Sequence, residues 1–331
     1  CNIYKRIISI MNILYASNNK FISIMLTSIV SLLENTEQKI SLYIIDDDIS
    51  EKNKNIIKKK VYEYKYVQNL IFIDASNCIN RMRGKIRTSN EWPMVAFVRL
   101  YLTELLPNDI EKILYMDCDT IICDDICDLW NEDITEYNVA GVLDCMDDNY
   151  KEKIGLGIGH PYINSGVLLF NLNKLRDINI EKEFVDLVNK RGSCFKYPDQ
   201  DVINVVMRDS IKVLPMKYNV VSQCLGFKYE EYVIYRNSSN YYTKKEYDES
   251  KSEHTILHMT GGFMYARPWY YNSKYPYKDI FSEYYMLANG NNEFWGKDNR
   301  NKKQILVSIM CNINIPWKMK IIAFLRKINN R

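Results

Sequence analysis

This sequence predicts an α/β fold with a mainly parallel central sheet and helices on both faces, and three observations carry that expectation. Short apolar runs alternate with longer segments whose apolar residues recur at helical spacing. The run Lys112-Ile113-Leu114-Tyr115-Met116 is apolar almost throughout, as a strand covered on both faces must be. Two of the runs end in acidic clusters, Asp46-Asp47-Asp48 and Asp117-Cys118-Asp119. Open parallel sheets bind ligands at the carboxyl ends of their strands.

Taken in order, residues 12–16 read as the first strand and 21–34 as a helix. Residues 40–45 form a strand, 50–64 a Lys-rich amphipathic helix and 70–74 a third strand. Residues 93–106 are expected to be helical, because Pro93 suits a first turn and Pro107 stops the chain just beyond. The strand leading to Asp117 follows. Residues 137–143 and 166–170 then read as strands, and 180–191 and 200–207 as helices. Residues 235–254, rich in Ser, Asn, Lys and Tyr, are expected to form a long loop or excursion. There is no internal repeat.

Composition bounds the function. A chain of 331 residues with 47% hydrophobic content can bury the core of one large domain or two smaller ones. A net charge of +3 gives no footprint for nucleic acid, and none is expected as a partner. Nine scattered cysteines, the closest group being Cys118, Cys123 and Cys127 with no His nearby, read as reduced residues of a cytosolic protein rather than a zinc site. Lys5-Arg6 ahead of an apolar stretch superficially resembles a secretory signal. Asn12 interrupts that stretch, Asn18-Asn19-Lys20 follows where small residues would be cleaved, and Met11 is a candidate natural start. No apolar run reaches the roughly 18 residues of a membrane-spanning helix.

The chemistry concentrates at Asp117 and Asp119. Two carboxylates aimed at one point repel each other unless a cation lies between them. Their oxygens suit hard divalent ions such as Mn²⁺ or Mg²⁺, which can bridge to a diphosphate and stabilise it as a leaving group. Alone, the pair also reads as a solvated turn. Three more motifs join it. Tyr162-Ile163-Asn164-Ser165-Gly166-Val167 runs into an apolar strand, and Tyr197-Pro198-Asp199-Gln200-Asp201 opens a helix at its positive end. His258-Met259-Thr260-Gly261-Gly262, followed by Arg267-Pro268-Trp269, offers an imidazole, a flexible backbone and a cation.

In this order the motifs resemble the family-eight retaining glycosyltransferases, which include bacterial lipopolysaccharide galactosyl- and glucosyltransferases and glycogenin. The resemblance starts at Met11-Asn12-Ile13-Leu14-Tyr15-Ala16 and passes through Phe97-Val98-Arg99-Leu100 and Tyr115-Met116-Asp117-Cys118-Asp119-Thr120. It takes in Asp125-Ile126 and Leu129-Trp130 and ends at His258 and Arg267-Pro268-Trp269. It implies a GT-A nucleotide-diphospho-sugar transferase fold, an αβα sandwich, over residues 11–275, with residues 276–331 as a C-terminal extension.

The resemblance also implies roles. Asp117, Asp119 and His258 look like metal ligands, usually for Mn²⁺; a buried structural imidazole is the alternative for His258. Ala16, Asn18 and Phe21 look like nucleotide contacts, where the family usually has Asp and Tyr at the last two, and Cys118, Gly261 and Arg267 join them. Phe21 also reads as a core residue that starts a helix. Arg99, Asn164, Asp117, Asp199 and Gln200 resemble the donor-sugar contacts. Gln200 and Asp199 take catalytic positions, with Asp201 as the nearest carboxylate nucleophile if the route is covalent. Asp144 reads either as an acceptor-side contact or as a strand-end turn residue. Arg267 stands where the family usually has Lys, after a longer spacing from the Gly.

From residue 299 to the end there are eight Lys or Arg and no Asp or Glu. Trp317, Ile321, Phe324 and Leu325 interleave with Lys318, Lys320, Arg326 and Lys327, as in basic amphipathic helices that bind anionic membrane surfaces. A helix packed on the domain or a partner interface is the alternative. The expectation is a cytoplasmic enzyme, peripheral on the inner face of the membrane. It would move glucose or galactose from a UDP-hexose to a saccharide or glycoconjugate acceptor of the cell envelope. The rivals are a glycogenin-like self-glucosylating enzyme and a non-catalytic sugar-nucleotide-binding protein.

Overall fold

The computed structural model describes residues 10–85, 94–178, 180–262, 264–291, 296–298 and 300–312. In chain order the strands are β1 (Met11–Asn18), β2 (Ile40–Asp47), β3 (Val67–Asp74), β4 (Lys112–Met116), β5 (Thr120–Ile122), β6 (Val139–Leu143), β7 (Ile163–Asn171), β8 (Ile211–Val213), β9 (Val220–Val221) and β10 (Ile256–His258). Seven of them build the main sheet in the order β3-β2-β1-β4-β7-β6-β8, and β5-β10-β9 form a small second sheet. The main sheet is mostly parallel, but β7 runs antiparallel to both β4 and β6. Central strands are mostly apolar and buried because helices cover both faces; every residue of β4 except Lys112 is buried.

Two packing features place the site. The helix Ile22–Asn35 is buried almost all round, from Ile22 and Ile24 through Leu33. Its serines brace the turn after β4: Ser28 Oγ lies 2.8 Å from Thr120 Oγ1, and Ser31 Oγ accepts from Ile122 N at 3.0 Å. Its outer side is covered by the helix Lys278–Asn289, where Asn289 Nδ2 donates to Ser23 O. The first part of the expected C-terminal extension is therefore packed into the core.

The helix Pro198–Val206 docks on the start of β7. Asn204 stands in for a strand neighbour there, accepting from Ile163 N at 2.7 Å and donating to Ile163 O at 2.8 Å. Pro198 sits in the first turn, where its missing N–H is no loss.

Two expectations are corrected. Residues 93–106 are not one α-helix: Met94–Leu100 winds as a 3-10 helix and a single α-turn, Leu102–Leu105, follows. Phe97 through Leu102 are all buried, and the Arg99 guanidinium is drawn to Ser165 O. Residues 235–254 are not a loop but carry the end of the helix Tyr229–Arg236 and the helix Lys244–Ser252. Thr243 and Glu246 form a capping box, while the Tyr232, Tyr241 and Tyr247 rings pack against one another. The polar composition belongs to the outer face; the tyrosine rings supply the apolar one.

Among the described residues no helix is long and apolar enough to cross a membrane. The helix Lys302–Asn312 opens the tail and touches the core through Ser308, whose Oγ donates to Met264 O at 2.7 Å. Trp317 and the later tail residues lie outside the described residues.

Candidate active site

Three remote segments meet at the carboxyl end of β4. The antiparallel β4–β7 ladder continues one step past Met116, with Asp117 N donating to Gly166 O at 2.8 Å, so Gly166 lies beside Asp117. In the small sheet, the β10–β5 register sets His258 opposite Thr120, and Met259 N donates to Asp119 O. His258 thereby reaches a pair of carboxylates 139 and 141 positions earlier in the chain. Asp117, Asp119 and His258 offer ligand atoms that all lie within 4.8 Å of one another.

Each carboxylate divides its oxygens. Asp117 Oδ1 accepts from Arg99 at 3.0 Å and from the Tyr115 hydroxyl at 2.7 Å, while its Oδ2 lies 3.7 Å from His258 Nε2. Asp119 Oδ2 pairs with Arg267 at 2.5 Å, and its Oδ1 lies 3.2 Å from His258 Nε2. The inner oxygens and Nε2 converge; the outer oxygens are tied to fixed protein cations. Burial disfavours the ionised Asp119, but Arg267 and His258 outweigh it and hold the carboxyl below its ordinary range. Burial likewise disfavours a charged His258, and the facing Asp119 and Asp117 more than offset it, raising the imidazole's pKa.

These residues fit a divalent cation. Two carboxylates and one imidazole are a suitable oxygen and nitrogen donor set. His258 Nδ1 is engaged by Asn219 Oδ1 at 3.0 Å, the outer contact that orients a ligating imidazole. Gly166 has room for no side chain: a Cβ there would sit 2.6 Å from His258 Nδ1 and 2.9 Å from Asp117 Oδ2.

The expected sugar contacts are adjacent. Arg99 is buried; it donates to Ser165 O at 2.7 Å and lies 3.5 Å from Asp199 Oδ2, bridging Asp117 and Asp199. Ser165 Oγ donates to Asp199 at 3.0 Å. Gln200 Oε1 accepts from Ser165 N and from Asn164 Nδ2, and its Nε2 donates to Asp144 Oδ2 at 3.1 Å. Asp144 is thus tied to Gln200 rather than capping a turn.

Asp201 is not brought to this centre. It is fully buried, accepting from the Tyr150 and Tyr162 hydroxyls, each at 2.5 Å, and from Tyr197 N. Burial pushes its carboxyl up to about 6 against the lowering effect of those hydroxyls.

Among the expected nucleotide contacts, Ala16 O accepts from Cys118 Sγ at 3.2 Å, joining the end of β1 to the acidic turn. The Asn18 side chain accepts from Lys20 N, and Phe21 is partly exposed at 38%. Gly261 packs against Arg267, whose guanidinium lies 5.0 Å from the Trp269 ring centre. Sequence reasoning missed Asn219 and Arg236. Neither belongs to a motif, and only the folded contacts reveal them.

Solved structures share this architecture. The galactosyltransferase LgtC, in complex with donor and acceptor sugar analogues, matches with a TM-score of 0.71 over 84% of this chain and 96% of that one, at 23% identity. The shared architecture is the GT-A fold. A sequence profile of Glycosyl transferase family 8 matches residues 12–273, and the chain belongs to that family. A Haemophilus influenzae protein described as a glycosyltransferase is 33% identical over 213 residues, which is 63% of each chain. The match therefore spans under two thirds of that relative. An Escherichia coli lipopolysaccharide 1,2-glucosyltransferase is 27% identical over 79% of this chain and 74% of its own length.

Two predictions follow from the geometry. Gly166→Ala should displace the His258 ring and weaken binding of a divalent cation by about 10-fold or more. Titration with Mn²⁺ followed by electron paramagnetic resonance checks it, and wild-type affinity would show that the close approach does not matter. Asp201 gives a pH dependence. Its folded pKa, about 6, lies above the ordinary carboxylate value, so the native state holds the extra proton and stability falls as pH rises from about 4 to 6. Asp201→Asn cannot titrate. Its destabilisation relative to wild type should shrink across that window by about 3 kcal/mol at most, read from urea unfolding.

Proposed function

We propose that the chain transfers glucose or galactose from a UDP-hexose, with retention of configuration, to a saccharide or glycoconjugate acceptor of the cell envelope. The observation that carries the reading is the convergence of Asp117, Asp119 and His258 beside the bare Gly166. A divalent cation held by those three residues, Mn²⁺ or Mg²⁺, would neutralise a diphosphate and stabilise UDP as a leaving group. Arg267, already beside Asp119, adds a guanidinium suited to phosphate oxygens. Ala16, Asn18, Phe21, Cys118 and Gly261 line the nucleotide side.

Arg99, Asn164, Asp117, Asp199 and Gln200 are the donor-sugar side. Arg99 orients Asp117 and Asp199 together. Gln200, held by Ser165 N and Asn164, carries the dipole that opposes positive charge at the anomeric carbon in a front-side displacement. An amide is a poor nucleophile, and both Asp201 oxygens are taken by tyrosine hydroxyls, so the covalent route through Asp201 is disfavoured. The envelope acceptor is supported by the named activity of the lipopolysaccharide glucosyltransferase relative.

The decisive assay incubates the chain with UDP-glucose or UDP-galactose and Mn²⁺ and reads released UDP. Turnover should vanish with EDTA and fall by about 10²-fold or more in Asp119→Asn, which loses one ligand charge while keeping its shape. Near-normal turnover in EDTA would remove the metal from the reading, and an inverted product anomer by NMR would remove retention.

The basic tail is the proposed membrane contact. Because Ser308 anchors the helix Lys302–Asn312 to Met264, the informative truncation ends after Asn312. That chain should retain UDP-hexose hydrolysis and lose sedimentation with vesicles of anionic lipid. Equal sedimentation of both chains would refute the membrane role.

A further inference from the structure

A single line of hydrogen bonds runs from the candidate cation site through the sugar side to a residue no motif contains. Arg236 ends the helix Tyr229–Arg236, donates to Cys145 O and pairs with Asp144 Oδ1 at 3.0 Å. Asp144 directly follows β6 and accepts from Gln200 Nε2 at 3.1 Å. Gln200 Oε1 accepts from Asn164 Nδ2 at 3.2 Å, Asn164 Oδ1 from Asn219 Nδ2 at 2.9 Å, and Asn219 Oδ1 faces His258 Nδ1 at 3.0 Å. Asn164, Gln200, Asn219 and His258 are all buried.

The direction of every link is forced. A carboxylate paired with a guanidinium offers only acceptors, so the Gln200 NH₂ must face Asp144. Its carbonyl then faces Ser165 N–H, which donates to it at 3.0 Å. Gly166 N–H donates to Asn164 Oδ1 at 2.9 Å, which turns the Asn164 NH₂ toward Gln200 and leaves its oxygen for Asn219. Asn219 therefore presents its oxygen to His258, and Nδ1 must carry the proton. Nε2 is left facing Asp117 and Asp119, free to ligate when a cation lies between them.

We propose that Arg236 and Asn219 are positioning residues. Arg236, through Asp144, fixes the Gln200 amide; Asn219, through the same line, fixes His258 as the Nδ1–H tautomer with Nε2 free to ligate. The donor-sugar side and the cation side are then one oriented unit. The catalytic meaning rests on the glycosyl-transfer reading above, whereas the location of the proton does not.

The experiment has two arms. The chain contains only three His, His160, His254 and His258, so long-range ¹H–¹⁵N spectra of histidine-labelled protein with Mg²⁺ resolve each ring. His258 should show its proton on Nδ1, and Asn219→Leu should lose that fixed pattern together with about 10- to 100-fold in Mn²⁺ affinity. In the kinetic arm, Arg236→Met should lower kcat for UDP-hexose by about 10-fold or more with little change in KM, and Arg236→Lys should restore part of it. A proton on Nε2 of His258, or wild-type Mn²⁺ affinity in Asn219→Leu, would overturn the role of Asn219. An Arg236→Met protein with a lowered melting temperature but wild-type kcat would reduce Arg236 to a structural pair. If the wild-type chain turns over no UDP-hexose, the transfer reading fails, while the NMR arm still decides the proton.

Discussion

The buried guanidinium of Arg99 is the interaction on which the site depends. Asp117, Asp119 and Asp199 crowd one end of the sheet, and leaving such charges unpaired out of water would cost several kcal/mol each. Arg99 meets Asp117 and Asp199 at once and fills its fork with Ser165 O. The Tyr115 ring lies against it, 4.3 Å from centroid to guanidinium carbon. The partner carboxylates more than offset the burial that would discharge it, and they raise its pKa. Those partners come from three stretches of chain, so Arg99 is satisfied only once β4, the start of β7 and the helix Pro198–Val206 are assembled. Its own segment winds as a 3-10 helix, and Phe97 to Leu100 within it are buried.

The sheet's mixture of directions has a chemical consequence. In a wholly parallel sheet only carboxyl ends of strands would meet at the site edge. Because β7 runs antiparallel to β4, its beginning arrives there instead, and it delivers Asn164, Ser165 and Gly166 beside Asp117. The second reversal is β10 against β5, which sets His258 opposite Thr120. The parallel half, β1 to β3, holds the proposed nucleotide side; the antiparallel insertions bring in the residues of the proposed sugar and cation sides. Gly166 is where these arrangements touch, and the ring of His258 occupies the space a Cβ would need.

Much of this was legible in the sequence, for reasons that differ by element. β1 to β4 and the helix Ile180–Arg191 carried strong periodicity and punctuation, and the structure places them within a few residues of the expectation. Tyr229–Arg236 and Lys244–Ser252 were hidden because their tyrosines stand among Ser, Asn, Lys and Glu in the sequence, and only in the fold do the rings pack together. The short strands β5, β9 and β10 carry no local signal at two or three residues each; tertiary pairing alone defines them. Asp201 shows the limit of reading a motif linearly. It follows Gln200 directly, and successive helical residues diverge by about 100° around the axis, so a neighbour in sequence faces the tyrosines of the core. Asn219 was beyond reach for the opposite reason: its two partners, Asn164 and His258, are 55 and 39 positions away.

Charge balance links the site to its proposed substrate. Asp117, Asp119 and Asp199 face Arg99 and Arg267, so three carboxylates stand against two guanidinium groups. With His258 neutral, one negative charge remains, and the inner carboxylate oxygens concentrate it where Nε2 points. A divalent cation placed there reverses the balance to one positive charge, which suits a diphosphate and would repel a second free cation. The substitution of Arg for the usual Lys fits the same scheme. The longer spacing between Gly261 and Arg267 lets the guanidinium span from Trp269 to Asp119, and a planar fork can hold a carboxylate with one nitrogen while presenting others to phosphate oxygens. Arg267 therefore both compensates Asp119 in the chain itself and remains able to meet a diphosphate, two duties that the point charge of a lysine would have to perform in turn.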